Sequence, residues 1–598
     1  MSDEQKKIIP INYTNREFQG VRNDLRQIAE RFYPDNFQDF SDASFGAMMV
    51  DSVAYVADQL NFYLDYNVNE TFLDTAYQYE NIIRHGRSLG FKETGRASTF
   101  GTVALYVLVP ATTTGLGPDR DYIPVLKKGT VFGSSGISFV LTENVNFAEA
   151  GNQIIAARTN ATTGAPTYYA IKAYGNVVSG RFGTERVTVG SYERFKKITL
   201  STSNISEIIS VFDEQGNEYY EVDYLAQDMI FKEVSNKNYK NDNVPSILKP
   251  FLVSRKFVVN KSRSSTTLQF GSGKSGETNV VADPARVAMD VFGKTYVTST
   301  TFDPSKLTKN ESMGIVPANT ELTILYRATN PTNSNLAAGA LSSVSSALVD
   351  FTDRTILSEA TVAEVISSIE VSNEEPIVGD VTNPTSEELK RRIYDTFPTQ
   401  NRAVTQADYE NMIYRMPSKF GSIKRCSAQR DPDSRRRNIN IYVISEDSFG
   451  NLTTTNSTIK DNLKTWMNNY KMLSDTIDVL DTFIINYGIE FVVKSSAGAD
   501  RFALVDTCIN ALSEKYSASK LFIGEHINVA DIYMVLSGVE GVMSVSSVKI
   551  TNKTGANYSA VQFDINENTA PDGTSIVIPS NAIAELKFPS VDIIGKIR

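Results

Sequence analysis

Reactive and metal-binding side chains are scarce in this chain. Its 598 residues include two cysteines, two histidines and one tryptophan. Cys426 and Cys508 are too few for a disulfide framework, and two buried thiols in a reducing compartment are expected. His85 lies between Arg84 and Arg87, and His526 follows Glu525 far away. Neither has a metal-ligand spacing such as His-Glu-x-x-His, and no Cys pair adds ligands. No Gly-x-Ser-x-Gly elbow is there to hold a nucleophilic serine. No apolar run approaches the roughly 18 residues that span a bilayer, and the best, Val103 to Val109, is strand-sized. The opening MSDEQKKIIP lacks the basic-then-apolar layout of a signal peptide, so folding in a cytoplasm is expected. Positive charge is also short. Lys and Arg number 59 against 69 Asp and Glu, for a formal charge of −10. A net anion is poorly suited to bind nucleic acid or anionic membrane in general. No catalytic residue, metal site or cofactor is assigned.

What the chain does have is apolar material for several cores, 41% hydrophobic and 10% aromatic, at a length that suggests about three to five domains. The fold class expected is α+β multidomain: an N-terminal helical bundle segment, a β-rich middle and a C-terminal α+β sandwich domain. Thr14-Asn15-Arg16-Glu17 is a capping-box pattern. Phe18, Val21, Leu25, Ile28 and Phe32 follow at helical spacing, and Pro34 ends the run.

The next predicted helix, Asp42 to Asp65, carries the most information. Ser44, Asp51, Asp58 and Asp65 recur every seven residues as one narrow polar stripe, and most other positions are apolar. A surface helix hides one stripe, whereas this one calls for burial over most of its circumference. A third helix is predicted through Phe72, Ala76, Tyr79 and Ile83, ending at Leu89-Gly90. Either the following domain covers this surface or a helix from another chain does; the second reading is favoured. The candidate bundle interface is Phe45, Met48, Met49, Val53, Val56, Leu60, Tyr63, Phe72, Ala76, Tyr79 and Ile83.

From Thr99 the period changes from 3.6 toward 2. Strands are predicted at Thr102 to Val109, Gly129 to Phe132, Ser138 to Leu141, Thr167 to Ala173, Ile198 to Leu200, Ile208 to Phe212, Phe257 to Val259 and Leu322 to Tyr326. Residues 330–385, rich in Thr, Asn, Ser and Ala, read as a loosely structured connection with a few strands. Pro384-Thr385-Ser386-Glu387-Glu388 opens a helix with an acidic first turn, and Thr405-x-x-Asp408 opens another. The last third alternates strand and helix, as in helices on one face of an antiparallel sheet. The boundaries drawn are 1–95 helical segment, 96–345 β-rich middle, 346–400 connection with one helix, 401–550 α+β domain and 551–598 C-terminal β tail.

Two motifs invite a chemical reading. Gly271-Ser272-Gly273-Lys274-Ser275-Gly276 has the end of a phosphate loop, but Leu268 stands where Gly-x-x-x-x-Gly-Lys needs its first glycine. Phe270 before the glycines indicates a strand entering a tight turn. Around Asp431-Pro432-Asp433, seven cations (Lys419, Lys424, Arg425, Arg430, Arg435, Arg436, Arg437) face those two acids. They form either a solvated hairpin or a docking tip for an acidic neighbour, with Arg430, Arg435, Arg436 and Arg437 as the candidates.

Collinear short motifs add a resemblance. Asn69-Glu70-x-Phe72-Leu73-x-Thr75-Ala76, Leu89-Gly90-Phe91, Ile123-Pro124, Lys128-Gly129-Thr130-x-Phe132 and Ser138-Phe139 resemble baseplate J-like proteins. Phe270-Gly271-Ser272-Gly273 looks like that family's aromatic-Gly-acid-Gly turn, with Ser272 in place of the acid. Asn401-Arg402-Ala403-Val404-Thr405-x-x-Asp408-Tyr409-Glu410 and Leu322-Thr323-x-Leu325-Tyr326-Arg327 resemble its subgroup of iris-forming baseplate wedge proteins from T-even-type contractile-tailed phages. The resemblance implies a non-enzymatic virion protein of the tail baseplate, assembled in the host cytoplasm. Its implied partners are a second copy of itself, another wedge chain, a small sheath-initiating protein and neighbouring wedges in a ring around the tail tube, with no nucleic acid and no membrane insertion. The N-terminal helices would join a shared core bundle, the C-terminal α+β domains would pair between wedges, and ring opening would release sheath contraction. A tail-associated carbohydrate-cleaving enzyme and the equivalent scaffold of a bacterial injection machine are the alternatives.

Overall fold

A computed structural model describes the chain apart from residues 1–16, 34–43, 115, 135, 236–245, 263–264, 274–312, 330–332, 435–437, 497–499, 517–520 and 556. Its contacts divide it into two units, Met1–Lys92 with Pro384–Pro398, and the remainder. The described α-helices, in chain order, are α1 Phe18–Phe32, α2 Phe45–Glu70, α3 Tyr79–Ser88, α4 Glu359–Ser367, α5 Ser386–Thr399, α6 Gln406–Tyr414, α7 Ser457–Met467, α8 Arg501–Lys515, α9 Val529–Ser537 and the single turn α10 Pro589–Asp592. With the strands below, this is the α+β multidomain class expected. No described helix is long and apolar enough to cross a membrane.

The first unit is helical. α1 lies along α2, and a small core joins Ala76, Ile82 and Ile83 to Leu389 and Ile393 of α5. The capping Thr14 and Pro34 lie outside the described residues. Phe72 and Ala76 are not helical, contrary to expectation, because α2 runs on to Glu70 and its carboxylate then turns the chain. Glu70 accepts the backbone N–H of Tyr77 at 2.8 Å and of Gln78 at 3.1 Å, while the Thr75 hydroxyl donates to the Asn69 carbonyl. Such local side-chain bonds compete with helix continuation.

The second unit is built on two seven-stranded sheets. In the first, Phe100–Pro110 pairs antiparallel with Pro166–Ser179, Leu105 opposite Ala173. Its inward row Val103, Leu105 and Val107 packs with Phe132, Phe139 and, from α4, Val362 and Val365. In the second, Thr320–Ala328 lies between Ile205–Asp213 and Arg181–Val189, over Val211, Phe257, Leu268, Phe270 and Ile324. Each predicted middle strand falls in or beside an observed one. Arg181–Val189 was missed because Gly180, with φ 120°, ends one long strand and starts the next without a polar loop.

The segment read as a loose connection is well packed. Leu336, Leu341, Ile377 and Val378 are buried. The Asn335 amide donates to the carbonyls of Asp380 at 2.6 Å and Glu446 at 2.8 Å, and Arg96 pairs with Asp380 at 2.8 Å. Its Asn, Ser and Thr side chains serve as internal partners for backbone groups, which composition alone cannot distinguish from a loop.

The C-terminal third also differs from expectation. Its sheets are mixed, with Ala582–Glu585 and Ile593–Ile597 both pairing parallel to Phe483–Ser495. Residues 551–598 are therefore no separate tail, since Ala582, Ala584 and Ile593 share the core of Phe491 and Leu512. Phe100, Val178 and Val378 share another core with Tyr409, Ile459 and Leu463. Middle and C-terminal regions are continuous inside.

Candidate functional site

Among the described residues the catalytic candidates resolve into structure. No group of three His, Cys, Asp or Glu there is placed to hold a metal. The His85 ring bonds the Glu70 carbonyl at 2.9 Å, and His526 Nδ1 accepts the Ile578 N–H at 3.1 Å. Cys426 and Cys508 are both buried. Burial raises the Glu585 carboxyl above its ordinary range, and its oxygens accept the Leu452 N–H and the Asn486 amide. Lys274 lies outside the described residues. Gly271 itself needs no phosphate to explain it, since a Cβ there would come within 2.2 Å of the Met313 carbonyl oxygen.

The basic cluster is partly internal. The Arg425 guanidinium is buried, donates from Nε to the Leu521 carbonyl at 2.9 Å and lies 4.5 Å over the Phe522 ring. Lys424 is buried against Glu446 at 3.1 Å. These two cations support the core, so the excess of five assigned to the hairpin is too large. Arg430 is exposed at the end of strand Arg425–Arg430, and Arg435, Arg436 and Arg437 lie outside the described residues.

What remains is α2. Ser44 caps it, its hydroxyl accepting the Ala47 N–H at 3.1 Å. Helix-compatible side chains and no proline then carry it for 26 residues. Only Ala47 and Ala54 are buried. At about 100° per residue, Ala47, Asp51, Ala54, Asp58 and Asn61 share one face, and that face takes α1: Arg22 bonds Asp51 through Nε at 2.6 Å and Nη2 at 3.3 Å. The polar stripe read from the sequence is thus the side nearest α1, where alanines permit close approach. Among the described residues the apolar sides are exposed. Met49, Val53, Val56, Leu60 and Tyr63, on the face opposite α1, are 50% to 59% exposed. Met48, Tyr55 and Phe62 form a flanking row, Phe45 stands above Tyr63, and all four are also exposed.

Eight of the eleven nominated interface residues therefore lie on exposed surface: Phe45, Met48, Met49, Val53, Val56, Leu60, Tyr63 and Phe72. Ala76 and Ile83 are buried and Tyr79 is partly buried, all in the core with Leu389 and Ile393; they are corrected to internal residues. The Leu389/Ile393 step of four on α5 was the available sign of that cover. Tyr55, Phe62 and Leu64 were passed over but are equally exposed.

The sequence comparison falls on the same segment. Residues 18–88 match the family model of the bacteriophage baseplate protein, N-terminal domain. The helical unit thus carries the signature of a baseplate protein family. No curated protein matches the chain. Two solved structures are similar over most of its length at 9% identity. One is a chain of the anti-feeding prophage (AFP) baseplate, covering 96% of this chain and 98% of that one at a TM-score of 0.27. The other is from the type VI secretion system TssK-TssF-TssG baseplate subcomplex, covering 73% and 96% at 0.21. At those scores neither carries an argument here.

Proposed function

We propose that this chain is a structural wedge subunit of a contractile-tail baseplate, of the J-like family and nearest its iris-forming subgroup. The observation that carries the reading is the exposed apolar surface of α2, lying within the segment that matches a baseplate family. So much uncovered apolar helix marks an interaction site. In this reading α2 enters a core bundle with a second copy of the chain and another wedge chain, with a small sheath-initiating protein docked on it. The second unit meets neighbouring wedges in a ring around the tail tube in the virion. The ring controls sheath contraction by exchanging packed interfaces, a mechanical switch without bond chemistry. Arg430 with Arg435, Arg436 and Arg437 is a secondary docking tip.

The full-length chain is expected to self-associate in light scattering, and Met49→Asp is expected to reduce that association and its co-assembly with the other wedge chain at least tenfold. A monomeric wild-type chain whose co-assembly is unchanged by Met49→Asp would overturn the reading. Release of sugar from host envelope, lost on replacing a single Asp or Glu, would replace it with the carbohydrate-cleaving alternative.

A further inference from the structure

We infer that the strand Gln153–Thr159 pairs antiparallel with the same strand of a second copy, centred on Ile155, so that the first sheets of two chains become one. The inference concerns the second unit and does not rest on the baseplate reading.

Among the described residues Gln153–Thr159 pairs only with Pro166–Ser179, which leaves it at an edge of the first sheet. All seven of its residues are exposed. An edge strand presents unpaired backbone N–H and C=O groups, and natural sheets commonly blunt such edges with charge, proline or a covering element. Here the strand has no proline, and Glu149 and Arg158 are the only charged side chains within residues 144–171. Its side chains continue the rows of the sheet. Ile154 stands opposite Ile171, which stands opposite Val107. Val107 and Ile171 are fully buried, whereas Ile154 is 49% exposed. On the other face Ile155 continues the row of Leu108 and Ala170 and is 66% exposed. The core row thus runs out to an open edge. What completes both the row and the hydrogen-bond ladder is an added strand.

Symmetry and charge select a second copy. A two-fold axis through Ile155, normal to the sheet, sets Ile155 against its counterpart and Ile154 against Ala156, and keeps both core rows on one side. These positions lie where the pairing with Pro166–Ser179 is regular, before the bulge between Ala156 and Arg158. Arg158, which is exposed and lies 3.5 Å from Glu364, then stands opposite Asn152 of the other copy. That residue ends a turn closed by its N–H and the Glu149 carbonyl at 3.1 Å. The one cation of this stretch so approaches its one acid, twice by symmetry. A parallel pair would set Arg158 against Arg158, a like-charge contact.

The test uses full-length chains under mild oxidation, with linkages mapped by mass spectrometry; Cys426 and Cys508 are buried, which disfavours their oxidation. Directly opposite positions of antiparallel strands lie within disulfide reach. Ile155→Cys is expected to link to itself. A mixture of Ile154→Cys and Ala156→Cys is expected to give the 154-to-156 linkage in about fivefold excess over 154-to-154 and 156-to-156. Adding Ile154→Lys to Ile155→Cys is expected to lower the 155-to-155 linkage about tenfold, because a charge on the edge opposes strand addition. If that chain fails to fold, the 154/156 mixture decides. Predominant 154-to-154 and 156-to-156 linkage would overturn the antiparallel register. Absence of linkage, or linkage that Ile154→Lys leaves unchanged in a folded chain, would overturn the pairing. Self-association in light scattering without these linkages would overturn it too, while leaving the baseplate reading in place.

Discussion

The two units of this chain handle apolar surface in opposite ways. The second unit turns the central rows of its sheets inward and joins several of its buried polar groups, as at Asn335, Asp380, Lys424 and Glu446. The helical unit contains a helix of 26 residues with only two buried. Single exposed hydrophobes are ordinary on soluble proteins, whereas a contiguous set is characteristic of interfaces. The difference separates residues that hold this chain together from residues available to hold it to something else.

The sharpest way to break that contrast is to place the same change in both units. Val107→Asp sets a carboxylate in a fully buried row and is expected to cost more than about 4 kcal/mol, seen as loss of the folded second unit in calorimetry. Val56→Asp is expected to change intrinsic stability by less than about 0.5 kcal/mol while lowering self-association at least tenfold. Comparable destabilisation of the isolated chain by both would erase the distinction.

The next effect belongs to the internal ion pair. Glu446 accepts from Lys424 at 3.1 Å and from the Thr382 N–H at 2.9 Å, and also from the Thr382 hydroxyl. Glu446→Ala removes the carboxylate of a buried ion pair and the acceptor for Thr382, so about 3–5 kcal/mol should be lost in urea unfolding; a loss under about 1 kcal/mol would mean the pair is dispensable.

A smaller effect is set by pH. The Lys261 ammonium donates to the Ser206 carbonyl at 2.7 Å and to the Ser418 hydroxyl at 3.1 Å. Burial lowers its pKa from 10.5 to about 8; Glu221 and Glu207 act against the shift, and Lys419 and Arg327 with it. Between those values the unfolded chain binds more protons, so this group's contribution to stability rises with pH from about 8 and levels off near 10.5. Below about 8 the full burial cost is present. The urea midpoint of the second unit is expected to be less pH-dependent between pH 7.5 and 9.5 in Lys261→Met than in wild type. An unchanged slope would assign it to other groups.

Much of this architecture is local and was therefore legible. Thr405 with Asp408 forms the capping box that opens α6 as read, whereas α2 starts three residues later than read, with Ser44 as its N-cap and not within the helix. Alternation predicted Phe100–Pro110 and Thr320–Ala328 to within two residues at each end. The segment after Thr329 was misread because polar residues bonded to distant backbone look, in one dimension, like a solvated loop. The parallel additions of Ala582–Glu585 and Ile593–Ile597 were unreadable for a related reason, since their partner lies about a hundred residues away in sequence.

By itself the sequence determined that α2 is a helix with too much apolar circumference for an ordinary surface, because periodicity and capping act over a few residues. Only the tertiary structure decided which sides of it are covered. Arg22 and two alanines draw α1 onto the polar stripe, Leu389 and Ile393 remove Ala76 and Ile83 from the candidate interface, and the Met49-to-Tyr63 row is left exposed. Those outcomes depend on contacts between segments as much as three hundred residues apart, and helical spacing carries no information about them.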